Sequence, residues 1–155
     1  MKTFRKTVAQ IDAGIIRVFG RIHDPLSRIA LFAVFFWFGG LKLIGMSPAN
    51  ELVQTLLQKT LPDMPFSHFI IILGSYEMLI GLFFIIPRFE RTALILLVPH
   101  MVATILPLIV LPDLTWFSFL IPTLEGQYII KNLALIALAV GIGSRLSGTS
   151  SLARP

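Results

Sequence analysis

The chain has 155 residues, of which 55% are hydrophobic and only 14% are charged, against roughly a quarter charged in a typical soluble domain. The net charge is +5, but the basic residues bracket apolar segments and form no separate polar domain, which argues against nucleic-acid binding. The absence of cysteine excludes dithiol chemistry, thiolate metal sites and iron–sulfur clusters held by this chain.

Residues 1–25 form a basic, amphipathic N-terminal segment. Asp12, Arg17 and Arg21 interrupt the apolar residues, so the pattern does not favour a cleavable signal peptide. We expect a helix lying on the anionic cytoplasmic surface of a membrane. The alternative is a soluble helix packed against a partner protein. The apolar residues recur at helical spacing, with the basic residues largely off their stripe, at Phe4, Val8, Ile11, Ile15, Val18 and Ile22.

Four apolar segments follow, over about residues 26–46, 66–86, 92–111 and 127–146. Each is close to the ~20 residues that a helix needs to cross the hydrocarbon core of a bilayer. The sequence therefore predicts an all-α integral membrane four-helix bundle over residues 26–147, preceded by the amphipathic interfacial helix. Residues 148–155 are expected to form a flexible tail.

The connections differ in character. Ser47 as cap and Pro48 at the first helical position predict a short surface helix that ends before Pro62. The short second connection, residues 87–91, requires the second and third spans to be antiparallel neighbours. The third connection, residues 112–126, is rich in aromatic residues and prolines, and we expect irregular chain at the membrane interface.

Positive charges predict the orientation. They concentrate before and at the start of the first span, in the 88–91 loop and in the C-terminal tail, whereas the other two loops are nearly neutral. By the positive-inside rule, both termini and the 88–91 loop face the cytoplasm. We expect a multi-pass protein of a bacterial cytoplasmic (inner) membrane.

Polar residues on several spans are predicted at similar depth. At about 1.5 Å per residue, Glu77 and His100 fall near the midplane, and Lys42 and Lys131 fall in the outer half. Ionisable residues inside a membrane are costly and commonly mark functional sites. The candidates for ligand binding or proton relay are Glu77, His100, Lys42, Lys131, Asn132, Thr104 and Tyr128.

Each candidate also has a purely structural interpretation. Glu77 could pair with Lys42, or be protonated, and only hold two helices in register. His100 could be a core histidine bonded to a neighbouring helix. Lys42 and Lys131 could extend to the outer headgroups, and Tyr128 could anchor the interface.

Small residues predict close helix packing. Gly74 and Gly81 share a helical stripe with Glu77, and Gly39 precedes Lys42 by three residues in the first span. The sequence has no phosphate-binding glycine loop, nucleophile elbow or metal-ligand cluster, so no metal is expected. A bis-histidine haem is excluded because only His100 is predicted to lie deep in the membrane.

Three segments carry a resemblance to a known family: "FFWFGGLKLIG", "YEMLIGLFFIIPRFERTALILL" and "NLALIALAVGIGSRL". Together they resemble the DoxX-like superfamily of small four-helix membrane proteins, over about residues 26–147. Its pattern has a glycine–lysine pair ending helix one, Glu-x3-Gly in helix two, an arginine after a short turn and a glycine-rich end to helix four. The matching positions are Gly39, Lys42, Glu77, Gly81, Arg88 or Arg91, Asn132, Gly141 and Gly143.

The resemblance implies a function linked to quinones or redox stress, because DoxX relatives are associated with thiosulfate:quinone oxidoreductase and with oxidant detoxification complexes. We expect a membrane subunit of such an oxidoreductase system, whose polar cluster binds a quinone headgroup or relays protons. A soluble or membrane oxidoreductase partner and a homo-oligomer are both compatible with this role. The alternatives are a small transporter or permeation unit and a non-catalytic scaffold for a partner protein. Whether the chain is itself an enzyme stays open.

Overall fold

The computed structural model describes residues 2–146, so the predicted flexible tail lies outside the described residues. The structure is 80% helical, which confirms the all-α class. The elements are α1 (Lys2–Leu43), α2 (Asn50–Thr60), α3 (Phe66–Ile85), α4 (Glu90–Ile105), α5 (Pro107–Val110), α6 (Pro112–Thr115), β1 (Trp116–Ser118), β2 (Ile121–Pro122) and α7 (Leu124–Gly143).

Four helical stretches in the described residues are long and apolar enough to cross a membrane: part of α1, then α3, α4 together with α5, and α7. The predicted second segment agrees with α3 to within one residue. The fourth begins earlier than expected, at Leu124, because the Thr123 side chain caps the helix by accepting a hydrogen bond from the Gly126 N–H at 3.2 Å. Four apolar helices of spanning length are therefore confirmed.

The first helix differs from the prediction. Instead of a surface helix followed by a separate span, α1 is one helix of 42 residues with Pro25 inside it. Proline removes one backbone hydrogen bond and usually kinks or ends a helix. Here Arg28 Nε donates to Asp24 Oδ2 at 2.8 Å, an i,i+4 ion pair that bridges the turn containing Pro25.

Two connections also differ from the expectation. The surface helix α2 begins at Asn50 and not at Pro48, while Ser47 Oγ accepts a hydrogen bond from the Ala49 N–H in the preceding turn. The third connection is ordered: it contains the one-turn helix α6 and an antiparallel hairpin of β1 and β2. The prediction of irregular chain in this connection is therefore wrong.

The long helices pack in antiparallel order. α1 contacts α3 and α7, and α4 contacts the same two helices. We call the end of the molecule with the 87–89 turn the loop end, and the opposite end, with α2 and the hairpin, the hairpin end. At about 1.5 Å per residue, α1 is about 63 Å long and α3 about 30 Å, so the first part of α1 extends past the loop end.

Glycines bring α1 and α3 into close contact. A Cβ added at Gly39 would lie 2.6 Å from the Gly74 carbonyl oxygen, and one at Gly74 would lie 2.8 Å from the Gly39 carbonyl oxygen. A Cβ at Gly81 would lie 2.9 Å from the Phe36 nitrogen. These distances are too short for any side chain, so the predicted packing role of Gly39, Gly74 and Gly81 matches their positions.

Candidate functional site

A buried ion pair joins α1 to α3. Lys42 Nζ donates a hydrogen bond to Glu77 Oε2 at 2.6 Å. Both residues are only 6% exposed. Removing two ions from water is costly, so a buried ion pair is stable only if a short and well-directed contact offsets that desolvation.

The two glycines explain why these side chains meet. Lys42 follows Gly39 by one helical turn, and Glu77 follows Gly74 in the same way. Side chains on a helix lean towards its N-terminus, so in antiparallel helices the two side chains lean towards each other. Lys42 thus points back into the protein although it lies in the last turn of α1, and the expected alternative of reaching the headgroups does not describe it.

His100 on α4 completes the cluster. Its Nε2 lies 3.6 Å from Glu77 Oε1, the carboxylate oxygen that Lys42 does not use. This is longer than a good hydrogen bond, and the residue is 8% exposed. Three ionisable side chains from three different helices therefore lie side by side in the interior, and we call Lys42, Glu77 and His100 the polar cluster.

Two aromatic residues pack beside the polar cluster, and neither was predicted from the sequence as a site residue. The Phe35 ring stands edge-on to the His100 ring, with centroids 5.4 Å apart. The Tyr76 ring centroid lies 6.2 Å from that of His100. The Tyr76 hydroxyl donates to the Leu96 carbonyl oxygen at 2.6 Å, in the turn before Pro99. The position of Tyr76 next to Glu77 in the sequence is the one signal that could have identified it.

The remaining predicted site residues lie elsewhere. The Thr104 hydroxyl donates to the His100 carbonyl oxygen at 2.8 Å, so it bonds to the backbone of α4. Lys131 and Tyr128 are exposed on α7, with Lys131 Nζ 5.2 Å from the centroid of the Tyr128 ring. Asn132 is half-buried beside them. The structure does not bring these α7 side chains into the polar cluster.

An apolar layer lies between the polar cluster and the loop end. Its members are buried and tightly packed, and they come from α1, α3, α4 and α7. They are Leu31, Phe35, Ile80, Phe84, Ala93, Leu97, Ala139 and Ile142. A solute moving through the protein would have to cross this layer.

A separate ion-pair network closes the loop end. Arg28 Nη1 donates to Glu90 Oε1 at 2.5 Å, while its Nε bonds to Asp24. This ties α1 to the first turn of α4. All three side chains are partly exposed, so the network belongs to the surface and contributes less than the buried pair.

The polar cluster has the groups needed to bind a small polar ring. An ammonium has three N–H donors, and in the described residues Lys42 uses one of them, on Glu77. A carbonyl oxygen could accept from Lys42 or from an imidazole N–H of His100, and a hydroxyl could donate to Glu77. No group of three or more His, Cys, Asp or Glu side chains in residues 2–146 could hold a metal ion.

Comparisons with family models, with curated proteins and with solved structures found nothing that matches this chain.

Proposed function

We propose that this protein is a DoxX-like membrane subunit of a quinone-linked or redox-stress oxidoreductase system. In this role the polar cluster binds a quinone headgroup or relays protons. One observation carries the proposal: Lys42, Glu77 and His100 come from three helices and meet in the interior, each less than one-tenth exposed. Packing alone does not require such a set, because apolar residues of similar volume stabilise a core as well or better.

The chemistry of the cluster suits a quinone. Reduction of a quinone to a quinol adds two electrons and two protons to its carbonyl oxygens. Glu77 and His100 are groups that can pass protons, and Lys42 can stabilise negative charge that develops on an oxygen. In this proposal a partner protein supplies the electrons.

Transport is less well supported. A permeation path would have to continue from the polar cluster to the loop end, where the apolar layer described above fills the interior. The cluster is therefore better suited to a reaction or a binding event at one depth than to passage of a solute.

The first part of α1 supports attachment to a membrane surface. Val8, Ile11, Ile15 and Val18 are exposed along one stripe, and the basic side chains of this region lie largely off it. We propose that α1 bends at Pro25 in the membrane, so that residues 5–24 lie on an anionic cytoplasmic membrane surface, with both termini on that side of a bacterial inner membrane. A partner oxidoreductase or a second copy docked on this stripe is the alternative occupant.

Copurified quinone tests the proposed function. The wild-type protein, purified from membranes and extracted with solvent, is expected to contain near-stoichiometric quinone. Glu77→Gln and His100→Ala are expected to lose it, whereas Ser75→Ala, an exposed position on the same helix, should keep it. Absence of quinone from the wild-type protein across several lipid compositions would reject the proposal.

Two further results would point to the alternatives. Solute uptake into liposomes that contain only this protein would favour transport. If deletion of residues 2–24 released a copurifying protein while Glu77→Gln changed nothing, a scaffold would be the better description.

A further inference from the structure

The hairpin of β1 and β2 carries the two most exposed large apolar side chains among the residues described, and a third that is almost as exposed. Phe117 is 78% exposed, Phe119 is 90% exposed and Leu120 is 72% exposed. Phe119 and Leu120 form the turn between the two strands, and Phe117 lies in β1 next to this turn. Soluble proteins rarely expose a contiguous apolar patch of large side chains without a partner for it.

The patch is also uncharged over a long stretch. Residues 114–124, "LTWFSFLIPTL", contain no ionisable side chain. Protein surfaces that remain in water normally intersperse charges among such residues. The stretch therefore fits an apolar or interfacial surrounding better than bulk water.

Hydrogen bonds and close packing fix the base of the hairpin. The Thr123 hydroxyl donates to the Leu114 carbonyl oxygen at 2.7 Å, and its N–H donates to the Thr115 carbonyl oxygen at 3.0 Å. Gly126 lets α7 approach this base, because a Cβ there would lie 2.1 Å from the Thr115 oxygen. The exposed tip is consequently presented on a fixed base.

The tip contains a residue in an unfavourable backbone conformation. Leu120 has φ +60, a left-handed value that glycine and asparagine adopt easily and leucine adopts at a cost. A glycine would satisfy the turn better. The leucine side chain is thus held at the tip against the preference of the backbone.

The position of the hairpin indicates what covers this surface. Trp116 Nε1 donates to the Leu108 carbonyl oxygen at 3.0 Å, which places β1 beside α5. Leu108 belongs to the candidate span Glu90–Val110, and its neighbour Ile109 is 75% exposed on the outside of that span. The tip therefore borders the same apolar belt that the spans present to lipid.

The backbone limits how deep the tip can go. A two-stranded hairpin leaves unpaired N–H and C=O groups on its outer edges, and these are too costly to bury in hydrocarbon. Aromatic side chains are favoured at the boundary between headgroups and acyl chains. At that boundary the unpaired backbone groups avoid burial in hydrocarbon, and the aromatic side chains lie where they are favoured.

We propose that Phe117, Phe119 and Leu120 insert into the headgroup–acyl boundary of the leaflet at the hairpin end, as a lipid-binding wedge. This inference does not depend on the proposed quinone function. It assigns the hairpin to lipid and not to a second copy or a soluble partner.

Site-directed fluorescence tests the wedge in the full-length protein. The chain has no cysteine, so Phe119→Cys can be labelled alone with an environment-sensitive dye. The control is Asp63→Cys, an exposed position in the α2–α3 loop at the same end. Both proteins are reconstituted in vesicles of phosphatidylcholine and phosphatidylglycerol that contain nitroxide-labelled phosphatidylcholine.

The dye at position 119 is expected to emit further to the blue than the dye at position 63. A nitroxide near the headgroup should quench it more than a nitroxide at the end of the acyl chain. Phe117→Cys gives a second, independent probe. Emission at 119 and 117 like that at 63 would overturn the proposal. A blue-shifted dye that lipid nitroxides fail to quench would also overturn it, because a protein surface would then cover the tip.

Discussion

At the residue scale, the central feature is a pair of opposite charges held away from water. Lys42 and Glu77 each need the other, because either charge alone would be buried without a counterion. Their contact of 2.6 Å depends on the glycines one turn before each residue. The pair and the glycines therefore form one unit, in which backbone approach creates the electrostatic contact.

A double-mutant cycle tests the pairing. Lys42→Met or Glu77→Leu alone should lower the free energy of unfolding by about 3 to 5 kcal/mol, because each strands a buried charge. The double variant should be destabilised by much less than the sum, since no charge remains. The free energies can be measured by denaturing-detergent titration. Additive losses would show that the two side chains do not interact.

Gly39 and Gly40 provide a matched pair of substitutions. Gly39→Ala would place a Cβ 2.6 Å from the Gly74 carbonyl oxygen, so α1 and α3 would have to move apart, at a cost of about 1 to 3 kcal/mol. A Cβ at Gly40 would meet no described atom within 4 Å. Gly40→Ala should be neutral or stabilising by up to about 1 kcal/mol. Thermal unfolding in detergent compares the two, and equal effects would contradict the close helix contact.

The meeting of polar side chains from different helices was predictable in part from the sequence, and the direction in which each side chain points was less predictable. Counting residues along each span correctly brought together Glu77, His100 and Lys42. The same count suggested Lys131, which the structure places on the exposed side of α7. Periodicity gives a stripe for each helix separately, and the rotation of one helix relative to another is fixed only by packing. Tyr76 was missed because its partner is a backbone carbonyl on another helix.

At the element scale, α1 shows how tertiary and local interactions compete. The change from an amphipathic to an apolar pattern near residue 25 favoured a helix boundary. The helix nevertheless continues through Pro25, and the Asp24–Arg28 ion pair bridges the turn that contains it. The hairpin was missed for a different reason: its base depends on Thr123 reaching back to Leu114 and Thr115, which no local pattern reveals.

The surface attachment of the first part of α1 predicts a lipid-dependent signal. A dye at Val18→Cys, on the exposed apolar stripe, should emit further to the blue in anionic vesicles than in zwitterionic ones. A dye at Gly20→Cys, off this stripe, should show less change. High salt should weaken the difference, because the basic side chains are screened. A signal at Val18 that is independent of lipid charge and salt would favour a protein partner.

At the scale of the whole molecule, four spans place alternate connections on opposite sides. A single cysteine at Asp63 should be labelled by a membrane-impermeant reagent from the side opposite to one at Arg88, which lies in the 87–89 turn. Labelling is measured in intact cells and in inverted membrane vesicles. The proposed orientation predicts Arg88→Cys accessible only in the inverted vesicles, and the reverse pattern would place the termini outside.

Binding of a short-chain quinone to a stable variant without the polar cluster tests the central claim most directly. The Lys42→Met/Glu77→Leu variant lacks both charges, and we expect it to keep the fold because no unpaired charge of this pair is left buried. In lipid nanodiscs we predict saturable binding to the wild-type protein and binding at least about tenfold weaker, or about 1.4 kcal/mol, to the double variant. If the folded double variant bound quinone as tightly as the wild type, or if the wild type bound none, the cluster would only hold the helices together.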